Sequence, residues 1–287
     1  MNTHDAAQVP GQAAGSKGLL STWPGTTVIF LVLWQCASFF AGRNHSGAHT
    51  VPSLPDILGS VKLFANYWPG GWGIPATSTG NEPSWWGALL GFVLNSGLTT
   101  LRTLAGLALG VFASAGLAVA VSWSTLLRKM MLFPAHLARM LPLLALVPLF
   151  DLWFGNSEGG AVLFVGFVTF CVTFATTLGA IGAVPSYYEQ YARSLGATPL
   201  YTYFAVILPA ALPRINNGVV LALGFAWGGV IAAEFLGLPY GLGRIVLLAE
   251  QFNQFSLLAL VAFIVVAYAM VSNFLLSKLL NRITGWS

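Results

Sequence analysis

Few side chains in this sequence could perform acid–base, nucleophilic or metal chemistry. Only 7% of the 287 residues are charged, and the four histidines are scattered. Cys36 and Cys171 both lie in apolar runs without metal-ligand spacing, so we expect buried structural thiols. The sequence contains no phosphate-binding G-x-x-x-x-G-K-[ST] loop. We therefore expect that the chain is not an enzyme, binds no cofactor or metal and hydrolyses no ATP itself.

The charged residues that interrupt apolar runs are the clearest candidates for function. Isolated ionisable groups in lipid are costly, and they commonly mark a solute pathway or a buried pair. Arg102, Asp151 and Glu234 occupy such positions. Glu234 either lines a pathway or satisfies backbone amides or an arginine. Asp151 either pairs with Arg102 or shapes an outer gate.

Three further residues are pathway candidates with an ordinary alternative. Arg139 either holds an anion or reflects the positive charge that is typical of cytoplasmic loops. Trp153 and Trp227 either line the pathway or pack between helices.

The composition identifies the class of protein. Hydrophobic residues make up 56% of the chain, and the mean hydropathy is +0.77. Soluble domains carry about 25% charged residues, far more than the 7% of this chain. The chain therefore cannot cover itself with a charged surface, and we interpret it as an integral membrane protein. The modest excess of basic residues, 12 against 8 acidic, is better explained by membrane topology than by nucleic acid.

The apolar runs predict an all-α fold, a polytopic bundle of about six transmembrane helices. A helix needs about 20 apolar residues to cross the hydrocarbon core, and open strands cannot satisfy their backbone groups there. The predicted spans are 25–42, 97–122, 132–154, 160–183, 205–237 and 255–280. We interpret the first as a retained span and not as a signal peptide, because no convincing cleavage site follows it.

The distribution of Lys and Arg predicts the orientation. With both termini in the cytoplasm, more basic residues fall on the inner side than on the outer side. The resulting organisation is a cytoplasmic tail (1–24), the first span (25–42), an extracytoplasmic segment (43–96), a core (97–280) with a cytoplasmic loop (184–208), and a second tail (281–287). The Trp-, Pro- and Gly-rich part of the outer segment either caps the outer face or contacts an extracytoplasmic partner.

The polar stretch "VPSYYEQYARSLGATPL" predicts two short helices separated by a glycine turn. Ser186 stands three residues before Glu189, the spacing of a capping box. A helix from Tyr187 to Leu195 would end at Gly196 in a left-handed conformation, because glycine carries no steric penalty there. Thr198 would cap a second helix, with Pro199 at its first position, that continues to Leu208.

Neither short helix is stable alone in water, so something must pack against them. A cytoplasmic partner subunit and the protein's own loops both remain possible on these physical grounds.

This stretch resembles the EAA motif of ABC-importer permeases, whose pattern is E-A-A-x-x-x-G, nine residues, I-x-L-P. Gln190-Tyr191-Ala192 takes the place of E-A-A, Gly196 is the glycine, and Val206-Ile207-Leu208-Pro209 matches I-x-L-P. Gln190 and Tyr191 depart from the pattern, whereas the spacing around Gly196 is intact.

Two more segments resemble the nitrate, sulfonate and taurine branch of this family. They are "RMLPLLALVPLFDLWFG" (139–155) and "GFAWGGVIAAEFLGLPYGLGRIV" (224–246), and they follow in the family's order. The resemblance implies a type I ABC importer permease in a bacterial inner membrane.

The resemblance also implies partners: two ATPase subunits that use ATP and Mg, a substrate-binding protein outside, and a second permease, expected to make a homodimer. The loop would be the coupling element that docks on the ATPase. The residues that the resemblance assigns to coupling are Ser186, Tyr187, Glu189, Gln190, Tyr191, Ala192, Arg193, Gly196, Ala197, Pro199, Leu208 and Pro209.

The substrate stays open at this point. The branch implies nitrate, a sulfonate, taurine or a similar anion, but related permeases carry pyrimidines and aromatic compounds. An ion-coupled secondary transporter is the alternative function, although no inverted repeat is evident and few carboxylates interrupt the spans. A scaffold protein would not require the spacing from Gly196 to Pro209.

Overall fold

A computed structural model describes residues 23–42, 50–235 and 237–285. The described residues are helical apart from loops, short 3₁₀ and π turns and one isolated β-bridge between Gly71 and Ile74. The α-helices are α1 (Trp23–Phe40), α2 (Leu54–Gly59), α3 (Trp85–Ser122), α4 (Thr125–Arg139), α5 (Leu143–Phe154), α6 (Glu158–Gly182), α7 (Ser186–Ser194), α8 (Pro199–Thr202), α9 (Leu208–Phe235), α10 (Leu242–Gln251) and α11 (Phe255–Ile283). The predicted all-α fold is confirmed.

Within the described residues, four helical stretches are long and apolar enough to cross a membrane: Trp85–Ser122, Glu158–Gly182, Pro199–Phe235 and Phe255–Ile283. Two shorter apolar helices, Val28–Phe40 and Ala145–Phe154, accompany them. The prediction that 132–154 is one continuous helix is wrong, because α4 ends at Arg139 and α5 begins at Leu143. Pro142 lacks an N–H group and disfavours a helical conformation at Leu141 before it, which accounts for the break.

The chain divides into two units, Met1–Pro55 and Asp56–Ser287. In the first, α1 is joined to the segment that follows it: Trp34 Nε1 donates to the Pro52 carbonyl at 3.0 Å, and Ser38 Oγ donates to the Val51 carbonyl at 2.9 Å. Cys36 is exposed on this helix, whereas Cys171 is buried in the second unit, so the expectation of two buried thiols is wrong for Cys36.

Helix α3 is 38 residues long, about 57 Å at 1.5 Å per residue, and therefore exceeds the hydrocarbon core of about 30 Å. It begins at Trp85 and not near residue 97, because Ser84 accepts a hydrogen bond from the Gly87 N–H and caps it. The 3₁₀ stretch Ser60–Tyr67 packs on the first turns of α3, where Gly91 leaves room for the Phe64 backbone. Phe64 is buried there with residues of α10 and α11.

Small residues let α3 and α6 approach closely in the second unit. A Cβ atom at Gly106 would lie 2.5 Å from Val165, and one at Gly110 would lie 2.7 Å from the Phe170 backbone nitrogen. Across the same contact, the Ser114 and Thr173 hydroxyls are 2.6 Å apart. Helices in lipid usually associate through small residues and interhelical hydroxyl bonds. The lipid tails are as apolar as the side chains, so the hydrophobic effect does not drive the helices together. Helix α9 packs against both α3 and α6 in one buried apolar cluster.

We expect Gly110→Ala to destabilise the bundle by about 1–3 kcal/mol, because the new methyl group must push the α6 backbone away. The matched control is Gly116→Ala in the same helix, where a Cβ atom meets nothing within 4 Å. Thermal unfolding of the purified chain in detergent should show a lower midpoint for Gly110→Ala alone. Equal midpoints for the two variants would contradict the packing described here.

Candidate functional site

A buried ion pair joins α3 to the end of α9. Arg102 is 2% exposed and Glu234 is 0% exposed, and Arg102 Nη1 donates to Glu234 Oε1 at 2.6 Å. The same nitrogen donates to the Tyr240 carbonyl at 2.8 Å. Arg102 and Glu234, which the sequence separates by more than 130 positions, are therefore direct partners.

Glu158 supplies a second carboxylate to Arg102 from the first turn of α6. Arg102 Nε and Nη2 donate to the two oxygens of Glu158 at 2.6 and 2.5 Å, a parallel two-bond geometry that matches the guanidinium fork. The Glu158 side chain is 59% exposed, so one face of the guanidinium points toward the edge of the bundle. Arg102 thus holds α3, α6 and α9 together at one end of the bundle.

The turn that starts α10, Gly241-Leu242-Gly243, closes this network through its backbone N–H groups. They donate to Asn95 Oδ1, Thr99 Oγ1 and Glu234 Oε2 at 2.8, 2.9 and 2.8 Å, respectively. The Thr99 hydroxyl in turn lies 2.8 Å from Glu234 Oε1 and donates to that carboxylate. A buried charge is tolerated when its bonding capacity is filled, and these contacts fill it.

Two glycines of this turn are required by the closeness of Glu234. A Cβ atom at Gly241 would lie 2.5 Å from both carboxylate oxygens, and Gly241 has a φ of 130°, which other residues rarely adopt. A Cβ atom at Gly243 would lie 2.8 Å from the Glu234 Cβ and 2.5 Å from the Ile231 carbonyl oxygen. The turn is thus shaped to bring backbone donors onto Glu234.

The other pathway candidates do not join this network. Trp227 is 3% exposed and its Nε1 donates to Ser272 Oγ at 2.9 Å, so it packs α9 against α11. Trp153 is exposed at the end of α5, and Arg139 is exposed in the last turn of α4. Asp151 lines a shallow recess at the start of α6.

Sequence reasoning missed three members of the network: Glu158, Thr99 and Asn95. Ser157 caps α6 by accepting from the Gly160 N–H at 3.0 Å. The sequence could therefore have placed Glu158, the next residue, at the start of a helix. Nothing in the order of residues, however, shows which helices are neighbours. Thr99 and Asn95 resemble ordinary polar residues of a membrane helix until their partner turn is placed beside them.

The predicted helical loop lies at the opposite end of α6 and α9. Helix α7 covers Ser186–Ser194, and the chain turns after it at Gly196, whose φ of 83° is the left-handed conformation that the sequence predicted. The Gly196 and Ala197 N–H groups donate to the carbonyls of Arg193 and Ala192 at 2.9 and 3.0 Å. These bonds satisfy the last carbonyls of α7 and reverse the chain.

The predicted capping box is wrong. Pro185 stands at the N-cap of α7, and no side chain of the described residues caps that helix. Since α7 begins at Ser186 itself, the hydroxyl lies one residue inside the helix. The Glu189 carboxylate pairs instead with Arg193 at 2.7 Å, an exposed contact between adjacent turns that contributes little stability.

The second helix of the loop starts as predicted and then changes geometry. Thr198 accepts from the Tyr201 N–H at 3.3 Å and caps α8, with Pro199 at the first helical position. Residues Tyr203–Ile207 form a π turn that leads directly into α9 at Leu208. Pro209 has no N–H group and crowds the carbonyl of residue 205, and the wider turn accommodates it.

The helical loop carries large side chains that no other part of the described chain covers. Tyr191 is 70% exposed and Leu195 is 89% exposed. Tyr187 and Tyr188 pack with ring centroids 4.5 Å apart, and the hydrogen bond between their hydroxyls raises the pKa of Tyr187 above its ordinary value. Leu200, Tyr201 and Phe204, in the second half of the loop, are exposed as well. Exposed large side chains are thus concentrated on this short helical segment, which the sequence placed outside the membrane spans.

Comparison with known proteins identifies relatives. A family model described as "Binding-protein-dependent transport system inner membrane component" matches residues 106–284, which is more than half of the chain. An aliphatic sulfonates transport permease protein, SsuC, of Bacillus subtilis (strain 168) is 36% identical over 168 residues, 58% of this chain and 55% of the relative. The taurine transport system permease protein TauC of Escherichia coli (strain K12) is 31% identical over 53% of this chain and 55% of the relative.

The matched region therefore spans only about half of the length of these two relatives. Among solved structures, a chain of the MetNI methionine ABC transporter in an inward-facing conformation is similar with a TM-score of 0.54. The similarity covers 71% of this chain and 97% of that chain at 21% sequence identity, and it concerns the fold.

The structure predicts unequal roles for the two carboxylates that bind Arg102. We expect Glu234→Gln to lower the free energy of unfolding by about 3–5 kcal/mol, because it leaves a buried guanidinium short of charge. Glu158→Gln is the matched control, because the Glu158 side chain is 59% exposed. It should lower the free energy of unfolding by less than about 1 kcal/mol. Thermal unfolding in detergent measures both, and a loss for Glu158→Gln as large as that for Glu234→Gln would refute the assignment.

Proposed function

The chain belongs to the family of binding-protein-dependent transport system inner membrane components, and we propose that it is the permease subunit of an ATP-driven importer for a small anion. The observation that carries the proposal is the exposed helical loop 186–208 at one end of the membrane bundle, with Gly196 in its left-handed turn. The fold of an ABC importer permease supports it.

In this function, the loop is the coupling element. Its exposed aromatic and aliphatic side chains offer a surface for a groove in a separate ATPase subunit, because burying large aromatic residues is the usual source of interface energy. ATP and Mg are used by that ATPase subunit and not by this chain, whose sequence has no phosphate-binding loop. Tyr191 and Leu195, the most exposed of these side chains, are the central contacts.

Helix α9 gives the loop a mechanical connection to the rest of the bundle. The chain passes from α8 through the π turn Tyr203–Ile207 into α9 without an intervening loop. At the far end of α9, Glu234 is fixed to α3 and to the turn that starts α10. A movement of the loop would therefore be carried along α9 as a rigid element and resisted at the Arg102 network.

The proposed importer contains further subunits. Two ATPase subunits, a second permease (a second copy of this chain) and an extracytoplasmic binding protein complete it. We place it in a bacterial inner membrane with both termini in the cytoplasm, because that orientation puts the loop on the side where ATP is available and agrees with the Lys and Arg distribution.

The substrate class is proposed from the relatives. Two relatives are named for sulfonates and taurine, both of which carry a sulfonate group. We therefore propose a small sulfonate, taurine, nitrate or similar anion. A pyrimidine or aromatic substrate in the same type of importer is the second candidate.

The docking proposal predicts that Gly196→Asp abolishes co-purification with the ATPase encoded by a neighbouring gene. A Cβ atom at Gly196 meets nothing within 4 Å in the chain, so the variant should fold with only about 1–2 kcal/mol of backbone strain. Gly80→Asp is the matched control, since Gly80 has the same φ of 83° and open surroundings outside the loop. Retained complex with Gly196→Asp, or equal loss with Gly80→Asp, would contradict docking through the loop.

The transport proposal predicts ATP-driven uptake of a sulfonate. Proteoliposomes with the whole complex, ATP inside and the binding protein outside should accumulate labelled taurine or ethanesulfonate, and a protonophore should not stop them. Uptake that needs no ATPase and collapses with the ion gradient would favour the secondary transporter. ATP-driven uptake of a neutral pyrimidine alone would retain the importer and change the substrate class.

A further inference from the structure

One face of α6 and α9 forms a continuous groove, which we call the α6–α9 groove. Three recesses of about 310, 310 and 580 Å³ follow one another along it. The first and second share Ala180 and Arg214, and the second and third share Leu221. The groove runs from the helical loop at Tyr187 to Ala232, close to the Arg102 network.

The spacing of residues on α9 explains why the recesses form one line. Residues 210, 214, 217, 221, 224, 228 and 232 line it, and they recur every three or four positions on one helix face. Glycines on the two helices add no side chain to the groove. The space beside them is open, because a Cβ atom at Gly179, Gly224 or Gly228 would meet nothing within 4 Å. The described part of the chain therefore leaves the groove uncovered.

Arg214 is the one charged residue among those that line the groove in the described chain. It is exposed, and no carboxylate of the described residues forms an ion pair with it. Arg102, by contrast, is saturated by two carboxylates and a carbonyl. A cation held without a counter-charge at the end of an apolar groove produces a positive potential there.

Asn217 and Thr176 provide the polar surroundings of Arg214. Asn217 follows Arg214 by one helical turn on the same face, and Thr176 lies across the recess on α6. A planar guanidinium offers two parallel donors to an oxyanion, and an amide adds a neutral donor beside it. This set of groups suits a singly charged sulfonate, nitrate or carboxylate better than a cation.

We propose that Arg214 and Asn217 form an anion-binding station at the loop end of the α6–α9 groove, facing Thr176, whose hydroxyl already donates to the Val172 carbonyl at 3.0 Å. The station deepens the proposed function and rests on it: it would hold the anionic group of a solute at the end of the groove nearest the ATPase. Arg214 also lines the recess formed by Tyr187 and Tyr188 of α7, so the loop and the station share a wall.

The competing account is that Arg214 reaches lipid headgroups and that the groove faces acyl chains. The two accounts differ in whether water reaches the groove and whether anions are favoured there. Gly179→Cys separates them, because it places a thiol in the same recess, where a Cβ atom fits, and leaves Arg214 and Asn217 intact. The background is the full chain with Cys36→Ser and Cys171→Ser, in its complex in proteoliposomes.

The measurement is the rate at which the cysteine at position 179 reacts with an anionic methanethiosulfonate reagent (sulfonatoethyl) and with a cationic one (trimethylammonioethyl). We expect the anionic reagent to be favoured by at least about fivefold relative to free cysteine, and Arg214→Gln to remove that preference. Lys129→Gln, which removes an exposed cation elsewhere, should leave the ratio unchanged. Gly116→Cys, at an open glycine of α3, is the control thiol and should not respond to Arg214→Gln.

The outcomes are distinct. An unreactive thiol at position 179, or a preference that survives Arg214→Gln, overturns the station, even if the complex imports sulfonates. An Arg214-dependent preference supports the station. If the complex then fails to transport any anion, the proposed function falls while the station stands.

Discussion

A guanidinium that is 2% exposed in an apolar helical bundle must have its charge and its donors matched, or the bundle would not hold it. Arg102 is matched by Glu158, Glu234 and the Tyr240 carbonyl, which belong to three different parts of the chain. The requirement to satisfy one cation therefore fixes where α6 starts, where α9 ends and how the chain turns before α10. Most of the second unit's geometry at this end depends on that single requirement.

At the other end of α6 and α9, the helical loop is mostly exposed instead of buried and paired. Tyr191 and Leu195 are largely exposed, and none of the α7 residues is buried. An element that binds a partner keeps large side chains exposed in the isolated chain, because the binding energy comes from burying them. One end of α9 is thus held by saturated polar contacts, and the other leads into the exposed loop for which we propose a partner.

How much of this was readable from the sequence depends on the range of the interaction. The turn at Gly196, the cap at Thr198 and the all-helical class follow from local rules, and the structure confirms them. The capping box failed because Pro185 precedes Ser186 and starts the helix one residue early. The prediction of one helix over 132–154 was wrong because it rested on mean hydropathy, whereas Pro142 interrupts the helix. The Arg102–Glu234 pair could be suggested but not assigned, because periodicity within a helix says nothing about which helix lies beside it.

The two arginines on opposite sides of this fold show why burial and partners, and not residue type, decide a role. Arg102 has its donors matched in the apo chain, so a solute could reach it only by displacing a carboxylate that other bonds hold in place. Arg214 has no such competitor among the described residues and opens onto two recesses. The free energy that an anion gains from a guanidinium is largest where no internal carboxylate has already claimed it. On that argument, the exposed arginine, which hydropathy alone would assign to the membrane edge, is the better candidate for handling solute.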